Sequence, residues 1–185
     1  MLHPNTIELT QSALAVIDMQ EVFRANIADF TETAARIAVM VQAARLLDLP
    51  VIVTEQYPKG LGRTAAEIRD VLPDSIEIIE KTSFSSCGAN QFEAQLESDG
   101  ARQVIVCGIE AHICVNQTVH DLLARGFQVH LLVDCITARN QNNKQVALGK
   151  MQVSGAIPSS VEMALFELMR DAQHKQFKAI QTLVK

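Results

Sequence analysis

Short apolar runs that alternate with segments of helical spacing constrain this chain more than any other feature. Ala13 to Ile17 stops at Asp18, Val51 to Val53 follows Pro50, and Gln103 to Cys107 stops at Gly108. Phe127 to Val133 stops at Asp134, the weaker Ile76 to Ile79 ends at Lys81, and Ala156-Ile157 is a short further run. Each is too short for an ordinary helix and is bounded by turn or breaker residues, as buried strands are. Between them the helical period recurs. Thr31 caps a segment carrying Ala34, Ile37, Ala38 and Val41, and residues 90–98 form another. Cys114 opens a third, with Val115, Thr118, Val119, Leu122 and Leu123 on its faces until Gly126 ends it. Residues 140–154 form a fourth, Ser159 or Ser160 caps a fifth with Val161, Ala164, Leu165 and Leu168, and Phe177, Ile180 and Leu183 mark the last. This alternation implies βαβ units, right-handed crossovers and a mostly parallel sheet covered on both faces. The expectation is one α/β domain over residues 1–185.

Composition narrows the function classes. With 185 residues and 48% apolar content, the chain can bury a substantial core, and no apolar run reaches membrane-spanning length. The formal charge of −5 is spread along the chain, Trp is absent and one Tyr occurs, so neither a nucleic acid nor a membrane is an expected partner. The N-terminus lacks the basic and apolar regions of a secretory signal, and the four cysteines (87, 107, 114 and 135) form no C-x-x-C pair. They are read as reduced thiols, consistent with a cytoplasmic location.

The strand ends carry the chemistry. Asp18, Lys81 and Cys114 each lie at or just past the end of an apolar run, and in a parallel sheet those ends share one edge. Cys114, placed at a helix N-terminus, faces unpaired amides and a positive dipole end that stabilise a thiolate. Asp18 can take the thiol proton, and Lys81 can hold Asp18 while favouring the thiolate. Alone, each has a plainer reading: Asp18 satisfying backbone amides after its strand, Lys81 a solvated lysine beside Glu80, Cys114 a small buried hydrophobe. Cys87, Cys107 and Cys135 are assigned to that last role. His112 is two residues from Cys114, too close along a starting helix to face it, so a Cys/His pair is not expected. Glu55, Gln56, Tyr57, Phe84 and His112 flank the same edge and are candidate walls of a substrate pocket, or loop residues with no ligand contact. No His pattern supports a metal.

Ala15-Val16-Ile17-Asp18-Met19-Gln20, Lys81-Thr82-Ser83-Phe84 and Gly108-Ile109-Glu110-Ala111-His112-Ile113-Cys114-Val115 together resemble the isochorismatase-like cysteine hydrolase superfamily. Their order and spacing match over essentially the whole chain. Val53 to Gly62 resembles the subgroup of isochorismatase domain-containing proteins. The resemblance implies a three-layer, Rossmann-like fold with a six-stranded parallel sheet, and a triad of Asp18, Lys81 and Cys114. It also implies a cis peptide at Ile109-Glu110 and an oxyanion hole from the backbone N–H groups of Glu110 and Cys114. Nicotinamidases of this superfamily hold a metal through an Asp-x-His motif after the second strand; Glu55-Gln56-Tyr57 stands there, so neither metal nor cofactor is expected. Isochorismatases proper lack the nucleophile cysteine; its retention implies a thiol-dependent, amidase-like activity on a small molecule.

Competing classes fit less well. A catalytically silent scaffold has no need of all three triad residues. A nucleotide-binding domain lacks a glycine after the first strand to admit a pyrophosphate. A redox protein lacks C-x-x-C. The resemblance further implies a homo-oligomer, with Met163 and Phe166 available to pack on a partner.

Overall fold

The computed structural model describes residues 3–185. Its strands are β1 (Ser12–Ile17), β2 (Val51–Gln56), β3 (Ile79–Lys81), β4 (Gln103–Gly108), β5 (Gln128–Ile136) and β6 (Ile157–Ser159). Its helices are α1 (Phe30–Leu47), α2 (Pro58–Leu61), α3 (Ala66–Arg69), α4 (Asn90–Ser98), α5 (Asn116–Ala124), α6 (Gln141–Val153), α7 (Val161–Met169) and α8 (Phe177–Leu183). All six strands pair in parallel, in the order β3-β2-β1-β4-β5-β6. The expected three-layer α/β architecture is therefore present.

Side-chain alternation along the strands explains the two outer layers. Leu14, Val16, Val53 and Ile105 face one way and pack with Ile37 and Met40 of α1, Leu165 of α7 and Ile180 of α8. Ala13, Ala15, Ile17, Val104 and Val106 face the other way, against Phe92 of α4, Val119 of α5 and Met151 of α6. Strands buried on both faces have no polar face to show, which is why they read as continuous apolar runs.

The chain builds outward from β1 to β3, then returns to lay β4 along the other side of β1. Strand order thus reverses between β1 and β4, and connections on its two sides diverge to leave a crevice above the carboxyl ends. Register fixes what lines it: Ile17 pairs with Thr54 on one side and with Gly108 on the other, and Gln56 pairs with Lys81.

Several boundaries differ from expectation. The third strand ends at Lys81 as expected but begins at Ile79 rather than Ile76, because the Ile76 amide bonds back to the Pro73 carbonyl and continues a turn. β5 runs through Asp134 to Ile136, and its register with β4 shifts between Val106 and Gly108. Asp29, not Thr31, holds the position before α1, while Ser160 caps α7 by accepting the Met163 amide. β6 begins at Ile157, with Ala156 before it. No helix among the described residues is long and apolar enough to cross a membrane.

One buried group makes the fold acid-sensitive. His130 in β5 is 1% exposed, and its Nε2 finds no hydrogen-bond partner among the described residues. Burial penalises the imidazolium and lowers its pKa to about 4. The unfolded chain, near 6.5, binds that proton first, so this contribution is complete above pH 6.5 and is lost as pH falls toward 4. Relative to His130→Leu, the wild type is expected to lose about 2 kcal/mol between pH 7 and pH 5. Urea denaturation at the two pH values measures it; parallel curves would contradict the assignment.

Candidate active site

Asp18 directly follows β1 with φ 48°, a left-handed conformation that Asp tolerates better than most residues. Its amide bonds the Thr54 carbonyl at 3.1 Å, and its carbonyl accepts the Gln20 amide at 2.7 Å. The turn leaves the carboxylate hanging over the sheet edge. There Oδ2 accepts from Lys81 Nζ at 2.6 Å and Oδ1 accepts from Thr54 Oγ1 at 2.7 Å. Asp18 thus serves side chains rather than backbone amides.

Lys81 is not the solvated lysine of the plainer reading. It is 5% exposed, and Nζ also donates to Gln56 Oε1 at 2.8 Å and to the carbonyls of Ser83 and Phe84 at 3.1 and 3.0 Å. Acceptors on several sides stabilise an ammonium.

The Cys114 segment departs from the expected geometry. α5 begins at Asn116, and Cys114 sits before it in a π-helical turn spanning Ala111–Val115. Cys114 is 7% exposed and belongs to the apolar cluster that also holds Ile17, Ala111 and Val115. Burial pushes its pKa up to about 12, and the Asp18 carboxylate, by charge and as hydrogen-bond acceptor, raises it further than Lys81 lowers it. Helix-end stabilisation of a thiolate is therefore overruled by desolvation. Use of this sulfur as a nucleophile would need a neighbouring base, and the Asp18 carboxylate is the charged group that acts on it most strongly.

The peptide bond Ile109-Glu110 is cis. Among the described residues the Glu110 amide has no acceptor, whereas the neighbouring amides of Ile109 and Ala111 bond the carbonyls of Ile17 and Thr137. The Glu110 carboxylate is buried and paired with Arg139, which gives it Nε at 3.0 Å, Nη2 at 2.9 Å and its backbone amide at 2.9 Å. Burial opposes the charge, but the Arg139 hydrogen bonds prevail and hold this carboxyl below its usual range.

The candidate pocket walls separate into different roles. Glu55 is fully buried, and its carboxylate is taken by the Thr64 amide at 2.7 Å, the Thr64 hydroxyl at 2.8 Å and Arg63 at 2.9 Å. Alternation along β2 turns it away from Thr54, so it clamps the 62–64 loop instead of lining a pocket. Gln56 orients Lys81 and donates to the Thr82 carbonyl. Tyr57, at φ 38°, lays its ring on Gly60, where an added Cβ would stand 2.4 Å from the ring. A hollow of about 470 Å³ lies beside it, lined by Tyr57, Lys59, Lys81, Thr82, Ser83 and Gln91. Phe84 is 55% exposed at this edge, while His112 is half-buried with its Nδ1 unpartnered among the described residues. Sequence reasoning did not single out Gln20, Thr54, Ser86 or Arg139. Only the position of Thr54 within a strand ending at the crevice marks one of them in advance.

A protein-family profile described as Isochorismatase domain matches residues 12–163. Isochorismatase domain-containing protein 2 of Homo sapiens is 45% identical over 174 residues, covering 94% of this chain and 83% of that protein. A solved structure described as MAR1 ribonuclease from Caenorhabditis elegans superposes with TM-score 0.93 at 41% identity, over 97% of this chain and 92% of that one. The YcaC gene product of Escherichia coli, described as an octameric hydrolase of unknown specificity, has TM-score 0.90 at 20% identity over 99% and 91% of the two chains, which bears on fold alone. Profile, relatives and topology agree: this chain belongs to the isochorismatase family.

Proposed function

We propose that the chain is a cysteine hydrolase that cleaves a small amide-type C–N bond through a thioester on Cys114. The observation that carries this is the buried Asp18–Lys81 ion pair, whose two charges both act on the buried Cys114 thiol at the strand-order reversal. In the proposed cycle Asp18 takes the Cys114 proton as sulfur attacks the carbonyl carbon, and the oxygen becomes an oxyanion facing the Glu110 and Cys114 amides. The C–N bond breaks as Asp18 returns its proton to the leaving nitrogen. Water, losing a proton to Asp18, then cleaves the thioester, and the thiolate recovers that proton. Lys81 stays charged and keeps Asp18 placed. The unused amide of Glu110 supports the oxyanion role.

Arg139 grips the side chain of the residue whose amide is invoked. Arg139→Ala is expected to lower kcat about 10²-fold with KM little changed, as loss of donor placement would do. Steady-state kinetics on any substrate found decides it, and an effect confined to KM would count against the oxyanion assignment.

The Caenorhabditis elegans relative's description as a ribonuclease favours a second substrate class, RNA. Against it stand the net charge of −5 and a thiol buried to 7% exposure. A silent scaffold is the other rival. The test applies iodoacetamide at neutral pH and maps adducts by mass spectrometry, then screens small amides, carbamoyl compounds, esters and RNA with wild type and Cys114→Ala. With Asp18 taking its proton, Cys114 is expected to react at least about tenfold faster than Cys87, Cys107 or Cys135. Amide turnover is expected to fall by on the order of 10⁴ or more in the variant. Equal thiol reactivity, or RNA cleavage indifferent to Cys114, would overturn the reading.

We further propose that residues 1–185 act as one cytoplasmic domain that self-associates. Met163 and Phe166 are exposed on α7, and light scattering reporting a monomer would end the association.

A further inference from the structure

A chain of hydroxyls lies behind the carboxylate and has no part in the cycle above. Thr54 Oγ1 donates to Asp18 Oδ1 at 2.7 Å and lies 3.4 Å from Ser86 Oγ. The Ser86 amide donates to Thr118 Oγ1 at 2.9 Å, and that hydroxyl donates to the Cys114 carbonyl at 2.7 Å. Thr54, Ser86 and Thr118 are all fully buried, and Asp18 is 2% exposed. A ring of contacts thus joins base to nucleophile through β2, the turn before α4, and α5.

The two oxygens of Asp18 face chemically different partners. Lys81 is an ammonium that can only donate, so a proton on Oδ2 would confront another donor. Thr54 is a hydroxyl, which can donate or accept and can turn about its C–O bond. In a buried site, a donor facing a donor leaves a polar group unsatisfied at a cost larger than the bond gained.

We propose that Thr54 is a positioning residue that serves both protonation states of Asp18: its hydroxyl donates to Oδ1 while Asp18 is a carboxylate, and turns to Ser86 Oγ when Oδ1 holds the Cys114 proton. The inference rests on Asp18 being the base of the proposed cycle. In that step the S–H bond breaks, an O–H bond forms on Oδ1, and the Thr54 hydroxyl proton turns from Oδ1 to Ser86 Oγ, the Ser86 proton pointing away from Thr54. Oδ2 remains an acceptor for Lys81 throughout.

The test needs no substrate. The rate of Cys114 alkylation by iodoacetamide is followed against pH for wild type, Thr54→Val, Thr54→Ser and Ser86→Ala, with thermal melts as a check on folding. The wild type is expected to show an acid limb, a plateau through neutral pH and a further rise at high pH. Thr54→Val removes the donor to the carboxylate, so its acid limb is expected about one pH unit higher. Thr54→Ser keeps the hydroxyl and is expected to overlay the wild type. Ser86→Ala removes only the second acceptor, so its acid limb stays and its plateau falls about threefold. A Thr54→Val profile that overlays the wild type, or a Ser86→Ala plateau that does not fall, overturns the proposal. If Thr54→Val does not fold, Ser86→Ala alone decides. A wild type with no plateau, reacting only at high pH, would instead remove Asp18 as base and with it the function proposed above.

Discussion

Gly108→Ala is expected to yield little or no folded protein. Gly108 ends β4 with φ 119°, a conformation that L side chains rarely adopt, and it lies against β1 so closely that an added Cβ would stand 2.0 Å from the Ile17 carbonyl oxygen. Nothing at this point can give way cheaply, because the obstacle is backbone of the central strand. That same carbonyl accepts the Ile109 amide at 2.9 Å, which leads into the turn carrying Glu110 and Cys114. A methyl here therefore separates β1 from β4 at the crevice. The loss is expected to exceed about 3 kcal/mol, the combined scale of overpacking and an unfavourable backbone region. Soluble yield and a thermal melt measure it, and a variant melting within a few degrees of wild type would contradict the close packing. Gly149→Ala, where nothing lies near the added Cβ, is the matched control.

Lys81→Met is expected to damage stability and chemistry together, and a second substitution should separate them. Removing the ammonium strands the Asp18 carboxylate at 2% exposure, with no cation beside it and only the neutral Thr54 hydroxyl and Cys114 thiol as donors. Breaking a buried pair in this way costs about 3–5 kcal/mol, mostly the burden of the uncompensated charge. Adding Asp18→Asn to Lys81→Met removes that charge and is expected to restore most of the lost stability. It also removes the base, so hydrolysis should stay at least about 10²-fold below wild type. Urea denaturation and turnover measured on the two variants give the answer. If the double variant is no more stable than Lys81→Met, the pair is not acting as a compensated buried ion pair.

Much of this was legible in the residues, and the reason is burial. Strands covered on both faces must be apolar throughout, so β1, β2, β4 and β5 announce themselves, and the residue that stops each run marks the crevice edge. Asp18 was visible for that reason and Lys81 as the end of a weaker run, and Asn140 and Ser160 cap helices where their types suggest. The thiol environment was not legible. A cysteine near a helix start carries two opposed effects, dipole and desolvation, and only packing decides between them. Here the π-helical turn places Cys114 within the buried apolar cluster, and burial prevails. Thr54 and Ser86 were hidden for another reason: a lone hydroxyl in an apolar strand or a Ser-rich turn carries no periodic signal, and its meaning lies in a partner more than thirty residues away. Glu55 misled because one step along a strand reverses a side chain's direction.

The three-residue β3 has a consequence for how the molecule fails. It is the outermost ribbon on its side, secured by three register pairs to β2, and yet it delivers the ammonium. Peeling of such a margin requires far less than melting the interior. Warmth would therefore unseat Lys81 from Asp18 while the bulk of the protein stayed intact, and cooling would bring it back.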